Sequence, residues 1–110
     1  MKKLTMNEQI FLIAIWRLKD EAFGVKIREQ ITQMTGSKML FGTLYNSLDY
    51  MAQKGLVLSR REKTPNEKGG NDRVYYEITA KGMEALKRAR QLQTSIWKGF
   101  PEYAFEPEED

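Results

Sequence analysis

The sequence predicts a mainly α-helical domain with a small β-hairpin, and three observations lead to that fold class. A helical pattern at residues 42–54 stops at Gly55 and passes directly into a strand-like segment. The paired glycines Gly69 and Gly70 lead into a return strand at residues 73–79, which ends at a helix-capping residue. Further helical patterns precede and follow this block. A helix followed by a two-stranded hairpin with a basic, glycine-containing tip is the plan of a winged helix-turn-helix, here with three helices and a two-stranded wing.

The composition narrows the class of protein. A chain of 110 residues with 41% hydrophobic and 30% charged side chains fits one folded domain. Its longest apolar run falls well short of the roughly 20 residues that a membrane span needs. Cysteine and histidine are both absent, which removes disulfides, thiolate metal sites and the commonest general base. We therefore expect a cytoplasmic protein without a metal or cofactor, and not an enzyme.

Charge is distributed unevenly along the chain. Five of the 15 acidic side chains lie in residues 99–110, which contain no Lys or Arg, so the first 98 residues carry a net charge of +8. A basic body with an acidic tail points weakly to a polyanionic partner. A solvated surface with a solubilising tail explains the same charges equally well. The tail at residues 100–110 is also predicted to shield the basic surface and weaken non-specific DNA binding.

The first helix is predicted over residues 6–18, where Thr5 and Glu8 have capping-box spacing. Its apolar side chains are too many for one stripe, so the helix must be covered on more than one side. One side meets the core, and the other needs a second copy of the chain or the last helix. We expect that second side to include Phe11, Ile15 and Trp16.

Two more helices complete the helix-turn-helix. The second is predicted over residues 23–34 and ends near Gly36, with Arg28 among its outward side chains. In the third, Leu44, Leu48 and Met51 recur at i, i+4 and i+7 and form its core stripe. The opposite face of the third helix is polar. It shows Thr43, Asn46, Ser47, Tyr50, Gln53 and Lys54.

This third helix meets the requirements of DNA recognition. Base readout needs a stiff helix with small, polar side chains facing outward in its first turns, as Thr43, Asn46 and Ser47 do. Lys38 precedes the helix and can reach a phosphate, as can the helix N-terminus. Tyr45 can lend its hydroxyl to the DNA backbone. Each residue taken alone has a simpler explanation: the polar side chains merely face solvent, and the Tyr45 ring belongs to the core. The whole arrangement, however, favours DNA binding.

The hairpin adds a basic tip. Its first strand, residues 56–62, alternates with Leu56 and Leu58 on one face, and its return strand places Val74, Tyr76 and Ile78 on one face. A basic hairpin beside a recognition helix can follow a phosphate backbone or a narrow minor groove. An ordinary exposed loop is the simpler alternative. The tip and its flanks carry Lys63, Lys68, Asn71 and Arg73.

The last helix, capped by Thr79, is predicted over residues 80–98. Its less polar side suits a dimer interface, and a sharper alternative is a gap at that interface for a flat, apolar ligand. The sequence thus divides into a winged-helix domain (residues 1–79), a C-terminal dimerisation helix (80–99) and an acidic tail (100–110). The interface or candidate effector pocket combines Phe11, Ile15 and Trp16 with Ala89, Gln93, Ile96 and Trp97.

Three motifs resemble the PadR family of bacterial transcriptional regulators. Residues 42–57 read Gly-Thr-Leu-Tyr-x-x-Leu-x-x-Met-x-x-Lys-Gly-Leu-Val and are similar to its recognition helix. Residues 23–27, Phe-Gly-Val-x-Ile, resemble the opening of its second helix. Residues 69–82, Gly-Gly-x-x-Arg-x-Tyr-Tyr-x-Ile-Thr-x-x-Gly, resemble its wing and the start of its last helix. The match extends over roughly residues 6–92 in the family's order and spacing.

The resemblance implies a winged-helix homodimer of the compact branch, held by its first and last helices. It implies repression of nearby genes that a small apolar or aromatic effector relieves. The operator is then an inverted repeat in double-stranded DNA. Gln93 falls where some compact members have a tryptophan. By position in the motifs, the DNA contacts implied are Lys38, Thr43, Tyr45, Asn46, Lys68, Gly70 and Arg73.

A different class of function also fits the fold. The wing has Asn71, Asp72 and Val74 where the family usually carries arginines. A winged helix with reduced wing charge can serve as a protein-interaction module without DNA-binding activity. A salt series separates the two functions, because binding through phosphates falls steeply with salt.

Overall fold

The computed structural model describes residues 3–63 and 72–108. It confirms the predicted fold class, a mostly helical chain with one two-stranded antiparallel sheet. Two short 3₁₀ turns are also present, Lys19–Glu21 between the first two helices and Glu102–Phe105 after the last one. The elements are α1 (Met6–Leu18), α2 (Gly24–Thr35), α3 (Phe41–Gln53), β1 (Val57–Glu62), β2 (Arg73–Ile78) and α4 (Ala80–Trp97).

The helix ends follow from local capping. The Thr5 hydroxyl accepts a hydrogen bond from the Glu8 amide at 3.1 Å, and the Glu8 carboxylate accepts one from the Thr5 amide at 2.8 Å, which forms the predicted capping box. Gly36 ends α2 with φ of 77°, a left-handed conformation that favours glycine. The Thr79 hydroxyl accepts a hydrogen bond from the Gly82 amide at 3.0 Å and so caps α4, as predicted.

One hydrophobic core lies between α1, α2, α3 and the hairpin, and it corrects the prediction for α1. Phe11 and Ile15 are only 1% and 2% exposed, so they belong to this core and not to the side that awaits a partner. The outer side of α1 is instead the stripe of Gln9, Ile13 and Trp16, at i, i+4 and i+7. The fully buried side chains of the core are Phe11, Leu12, Ile27, Leu44, Leu48, Met51 and Val57.

The hairpin is in register from Val57 opposite Ile78 to Glu62 opposite Arg73. The chain before α2 joins it, because the Tyr76 amide donates to the Ala22 carbonyl at 2.9 Å. The predicted alternation is wrong at Leu58, which is 57% exposed. Since β1 begins with Val57 pointing into the core, the two-residue period turns Leu58 outward.

Helix α4 lies against α1 and then extends beyond the core. The Gln93 side-chain amide donates to the side-chain oxygen of Gln9 at 3.0 Å, which joins the two helices. Every residue from 94 to 100 is exposed. The radius of gyration is 17.4 Å, against about 13 Å for a compact domain of this length. Within residues 3–63 and 72–108, the end of α4 thus leaves apolar side chains exposed, which a helix of this kind normally buries against a partner.

Candidate nucleic-acid interface

Helix α3 presents the polar face that the sequence predicted. Leu44, Leu48 and Met51 are fully buried and hold one side of the helix in the core. Thr43 and Asn46 are therefore exposed on the other side, and Ser47 is half-buried at its edge. Further along the helix the same face continues with Tyr50, Gln53 and the acidic Asp49. This arrangement leaves small, polar side chains for base edges in the first two turns of the helix.

The N-terminus of α3 is open to solvent. Leu40 is the capping residue and supplies no side-chain hydrogen bond, so the first amides of the helix remain available to a phosphate oxygen. Lys38 is exposed in the turn just before it. The Leu40 side chain is 77% exposed, and sequence reasoning missed it as a candidate contact. An apolar side chain at this point can contact a thymine methyl group. The only feature of the sequence that could have identified Leu40 is an apolar residue directly before the polar start of a helix.

Arg28 fixes the turn between α2 and α3, although the sequence placed it among the outward side chains. Its Nε donates to the Met39 carbonyl at 2.6 Å, and its guanidinium lies 4.3 Å from the centre of the Phe41 ring. A charge-assisted hydrogen bond and a cation–π contact together hold the start of α3 against α2. Arg28 is thus a positioning residue for the candidate recognition helix.

Tyr45 also packs α3 against α2. Its ring lies directly over Gly24, where a Cβ would overlap the Tyr45 hydroxyl oxygen and ring. The same ring stacks with Phe41 at a centroid distance of 6.4 Å. Glycine at position 24 is therefore needed for this close helix crossing. The ring is partly exposed, and its predicted contact with the DNA backbone stays a prediction.

At the base of the wing, two arginines lie over two aromatic rings that contact each other. The Arg73 guanidinium lies 4.3 Å from the centre of the Phe23 ring, which meets Tyr75 edge to face at 5.5 Å. Arg60 lies 5.1 Å from the centre of the Tyr75 ring and pairs with Glu62 at 3.0 Å. The rings orient Arg73 beside the hairpin. The other predicted wing contacts, Lys68, Gly70 and Asn71, lie outside the described residues.

Lys54 turns inward at the end of α3, although the sequence placed it on the outward face. Its ammonium lies 2.8 Å from a carboxylate oxygen of the buried Glu8. Burial alone would raise the pKa of Glu8, but hydrogen bonds from Lys54 and Thr5 outweigh it and hold that pKa below its usual value. The hydrogen bond to Glu8 raises the pKa of Lys54 in turn. The pair fastens the end of α3 to the first turn of α1.

The end of α3 is also bonded to the start of α4. The Thr79 hydroxyl donates to the Gly55 carbonyl at 2.6 Å, and the Lys81 ammonium donates to the Lys54 carbonyl at 2.8 Å. Gly82 sits so close to the Leu56 carbonyl oxygen that a Cβ would overlap it. The segment that ends the candidate recognition helix and the start of α4 therefore meet at one tight junction.

Two grooves run along α4, on either side of the Gln9–Gln93 contact. The first groove has a volume of about 420 Å³. It is lined mainly by Leu4 and by four residues of α4, Ala85, Ala89, Leu92 and Ile96. The second, about 540 Å³, has an apolar floor formed by α1 and α4. Of the predicted interface residues, Trp16, Ile96 and Trp97 are more than half exposed, and Ala89 and Gln93 are half-buried within the grooves.

Among residues 3–63 and 72–108, no group of three or more acidic side chains is arranged to hold a metal ion. In the same ranges, no helix is both long and apolar enough to cross a membrane.

These features define a winged-helix DNA-binding protein. They are a polar α3 with an open N-terminus, a wing base that carries arginines, and a helix-turn-helix held in place by Arg28 and Tyr45. The sequence profile of the transcriptional regulator PadR-like family matches residues 12–88. The chain belongs to this family, and members of the family are DNA-binding regulators rather than enzymes.

Solved structures agree with this assignment. A PadR family transcription regulator from Clostridium difficile R20291 is 26% identical, with a TM-score of 0.66 over 83% of this chain and 91% of its own. A PadR-like transcription factor from Bacteroides fragilis is 22% identical, with a TM-score of 0.68 over 84% of each chain. F93 from STIV, a winged-helix DNA-binding protein, is 19% identical and shares the fold, with a TM-score of 0.62 over 86% of this chain and 95% of its own. No curated protein sequence matched the chain.

Proposed function

We propose that this regulator is a cytoplasmic homodimeric repressor that binds an inverted-repeat operator through α3 and releases it when a small apolar or aromatic effector binds along α4. The observation that carries the proposal is the junction of Gly55, Thr79 and Lys81, which bonds the recognition helix to the helix with the exposed apolar surface. Any contact that moves α4 thereby acts on the reading face of α3.

The dimer is supported by the unpartnered end of α4. Leu92, Ile96 and Trp97 are exposed along its outer side, and an exposed apolar patch of this kind marks an interaction surface. Pairing two copies across α4 buries this surface and sets the two α3 helices at a fixed separation. A fixed separation of about one DNA turn (roughly 34–36 Å) matches two half-sites of an inverted repeat.

The effector is supported by the groove of about 420 Å³ beside Ala89, Gln93 and Ile96. Its size lies within the range of roughly 300–1,000 Å³ that suits a small ligand. Its lining is mainly apolar, and the amides of Gln9 and Gln93 supply polar groups that can orient the ligand. A second copy packed on α4 would close the open side of this groove.

A mobility-shift titration with DNA selected from a random pool tests the proposal. Binding through phosphates predicts that the logarithm of the association constant falls linearly as the logarithm of the salt concentration rises. Selected sequences should contain an inverted repeat. An affinity that stays low and insensitive to salt would instead favour the alternative, a winged-helix module that binds another protein.

A further inference from the structure

Leu40 is an exposed apolar side chain at the start of the candidate recognition helix. It is 77% exposed, more than any other large apolar side chain in residues 3–63 and 72–108. A single exposed leucine is common on protein surfaces, so this exposure alone does not indicate a contact. The position of Leu40 in the fold is more informative.

Leucine is an unfavourable residue at this position. Leu40 is the N-cap of α3, where Ser, Thr, Asp or Asn would accept a hydrogen bond from an amide of the first turn. The leucine supplies no such bond, and the residue before it, Met39, is the one that packs against the core. Leu40 thus stabilises the fold neither as a cap nor as a buried side chain. Residues that break a local rule in this way are expected at functional sites.

The backbone on both sides of Leu40 is held in place. The Nε of Arg28 donates to the Met39 carbonyl at 2.6 Å, and the Leu44 amide donates to the Leu40 carbonyl at 3.0 Å. The next residue, Phe41, carries the Arg28 guanidinium 4.3 Å from the centre of its ring. A backbone fixed before binding presents the leucine side chain to a ligand at little cost in entropy.

Leu40 adjoins the polar face of α3. Leu40, Thr43 and Ser47 follow one another at intervals of three and four residues, the spacing of neighbours on one side of a helix. In a helix-turn-helix protein the first residues of the recognition helix contact base edges in the major groove. The apolar group that a base pair presents in that groove is the methyl group of thymine. Because leucine forms no side-chain hydrogen bond, this methyl group is the feature that it can recognise.

We propose that Leu40 packs against a thymine methyl group and so selects thymine at one position of each half-site. This role rests on the proposed function, in which α3 enters the major groove, and it adds an apolar contact to a reading face that is otherwise polar. A capping residue at position 40 would stabilise α3 but would lose the methyl contact.

Deoxyuridine isolates this contact, because uracil pairs as thymine does and lacks only the methyl group. Each thymine of the operator selected by wild type is replaced singly, and the dissociation constant is measured by mobility shift at one salt concentration. Wild type should lose about fourfold in affinity at one position in each half-site, the effect of one buried methyl group. Leu40→Ser should bind the original operator more weakly and lose nothing further at that position. Leu40→Met keeps an apolar side chain and should retain most of the uracil penalty.

Leu58→Ser is the matched control, since Leu58 is also more than half exposed but lies on β1. It should preserve the uracil penalty in full. Thermal denaturation separates binding from packing, because Leu40→Ser gains a cap and should unfold several degrees above wild type. An unfolding temperature below that of wild type would assign Leu40 to packing and overturn the proposal.

The uracil series also distinguishes this proposal from the function on which it rests. Wild type that binds an inverted repeat but tolerates every uracil would overturn the role of Leu40 alone. A Leu40→Ser protein that shows the full wild-type penalty would do the same. If wild type enriches no sequence from the random pool, the proposed function fails and the role of Leu40 fails with it.

Discussion

The Glu8 carboxylate and the Lys54 ammonium lie 2.8 Å apart and join the first turn of α1 to the end of α3. Glu8 also closes the capping box with Thr5, so one buried carboxylate serves both a helix start and an ion pair. The contact matters for function because Lys54 is also part of the junction with α4, where its carbonyl accepts a hydrogen bond from Lys81. Its loss should loosen the end of the recognition helix as well as lower the free energy of unfolding.

Lys54→Met should lower the free energy of unfolding by about 1–3 kcal/mol, because it leaves the buried Glu8 without its charged partner. Urea denaturation measures the change. Lys26→Met is the matched control, since it removes the exposed Lys26–Glu29 pair, and should change stability by no more than about 0.5 kcal/mol. Equal effects for the two variants would contradict the role assigned to the Glu8–Lys54 pair.

The same pair predicts how stability depends on pH. The folded-state pKa of Glu8 lies below its ordinary value of 4.5, so its stabilisation is present above pH 4.5 and is lost as pH falls through the folded-state pKa. The folded-state pKa of Lys54 lies above 10.5, so its stabilisation is present below that pH and is lost as pH rises through the folded-state pKa. Chemical denaturation across pH 3 to 6 measures the acid limb. Glu8→Gln should flatten that limb, and an unchanged slope would contradict this prediction.

Gly42→Ala should separate folding from DNA binding. A Cβ at this position in the first turn of α3 meets no atom within 4 Å, so the substitution should stabilise the helix by roughly 0.5–1 kcal/mol. We expect DNA affinity to fall nevertheless, because the methyl group occupies the space that a DNA backbone approaches. Thermal denaturation and a mobility-shift titration on the same protein measure the two effects. An affinity equal to wild type would show that DNA does not approach this turn.

Arg73→Gln should weaken binding to all DNA sequences alike and reduce the slope of the salt dependence by about one. Phe23→Leu should have a smaller effect in the same direction, because it removes the ring that orients Arg73 and leaves the charge in place. Arg88→Gln is the control, since Arg88 lies on α4 and pairs with Glu84. A salt slope that falls as much in the control as in Arg73→Gln would assign the effect to net charge.

The sequence predicted the helices and strands to within about one residue wherever a capping residue marks an end, as Thr5, Gly36 and Thr79 do. Periodicity could not decide which side of α1 faces the core, because both sides are apolar. Phe11 and Ile15 were therefore assigned to the wrong side. The assignment follows only from the packing of α2 and β2 on that helix.

The contacts of long side chains could not be predicted from the sequence for a different reason. Arg28 and Lys54 occupy helical positions that read as outward, yet their flexible stems reach back to the Met39 carbonyl and to Glu8. Tyr45 was recognised, but its closest neighbour, Gly24, lies on another helix and is 21 positions away. Polar faces of helices are thus readable from sequence, whereas contacts that lock one helix to another are not.

DNA selection with a matched variant decides whether the outward face of α3 reads the bases of an inverted repeat. Wild type and Asn46→Ala are each used to select DNA from the same random pool. We expect wild type to enrich an inverted repeat with half-sites about 10–11 base pairs apart, and Asn46→Ala to lose preference at one position in each half-site. Identical enriched sequences for the two proteins, or no enrichment by wild type, would contradict it.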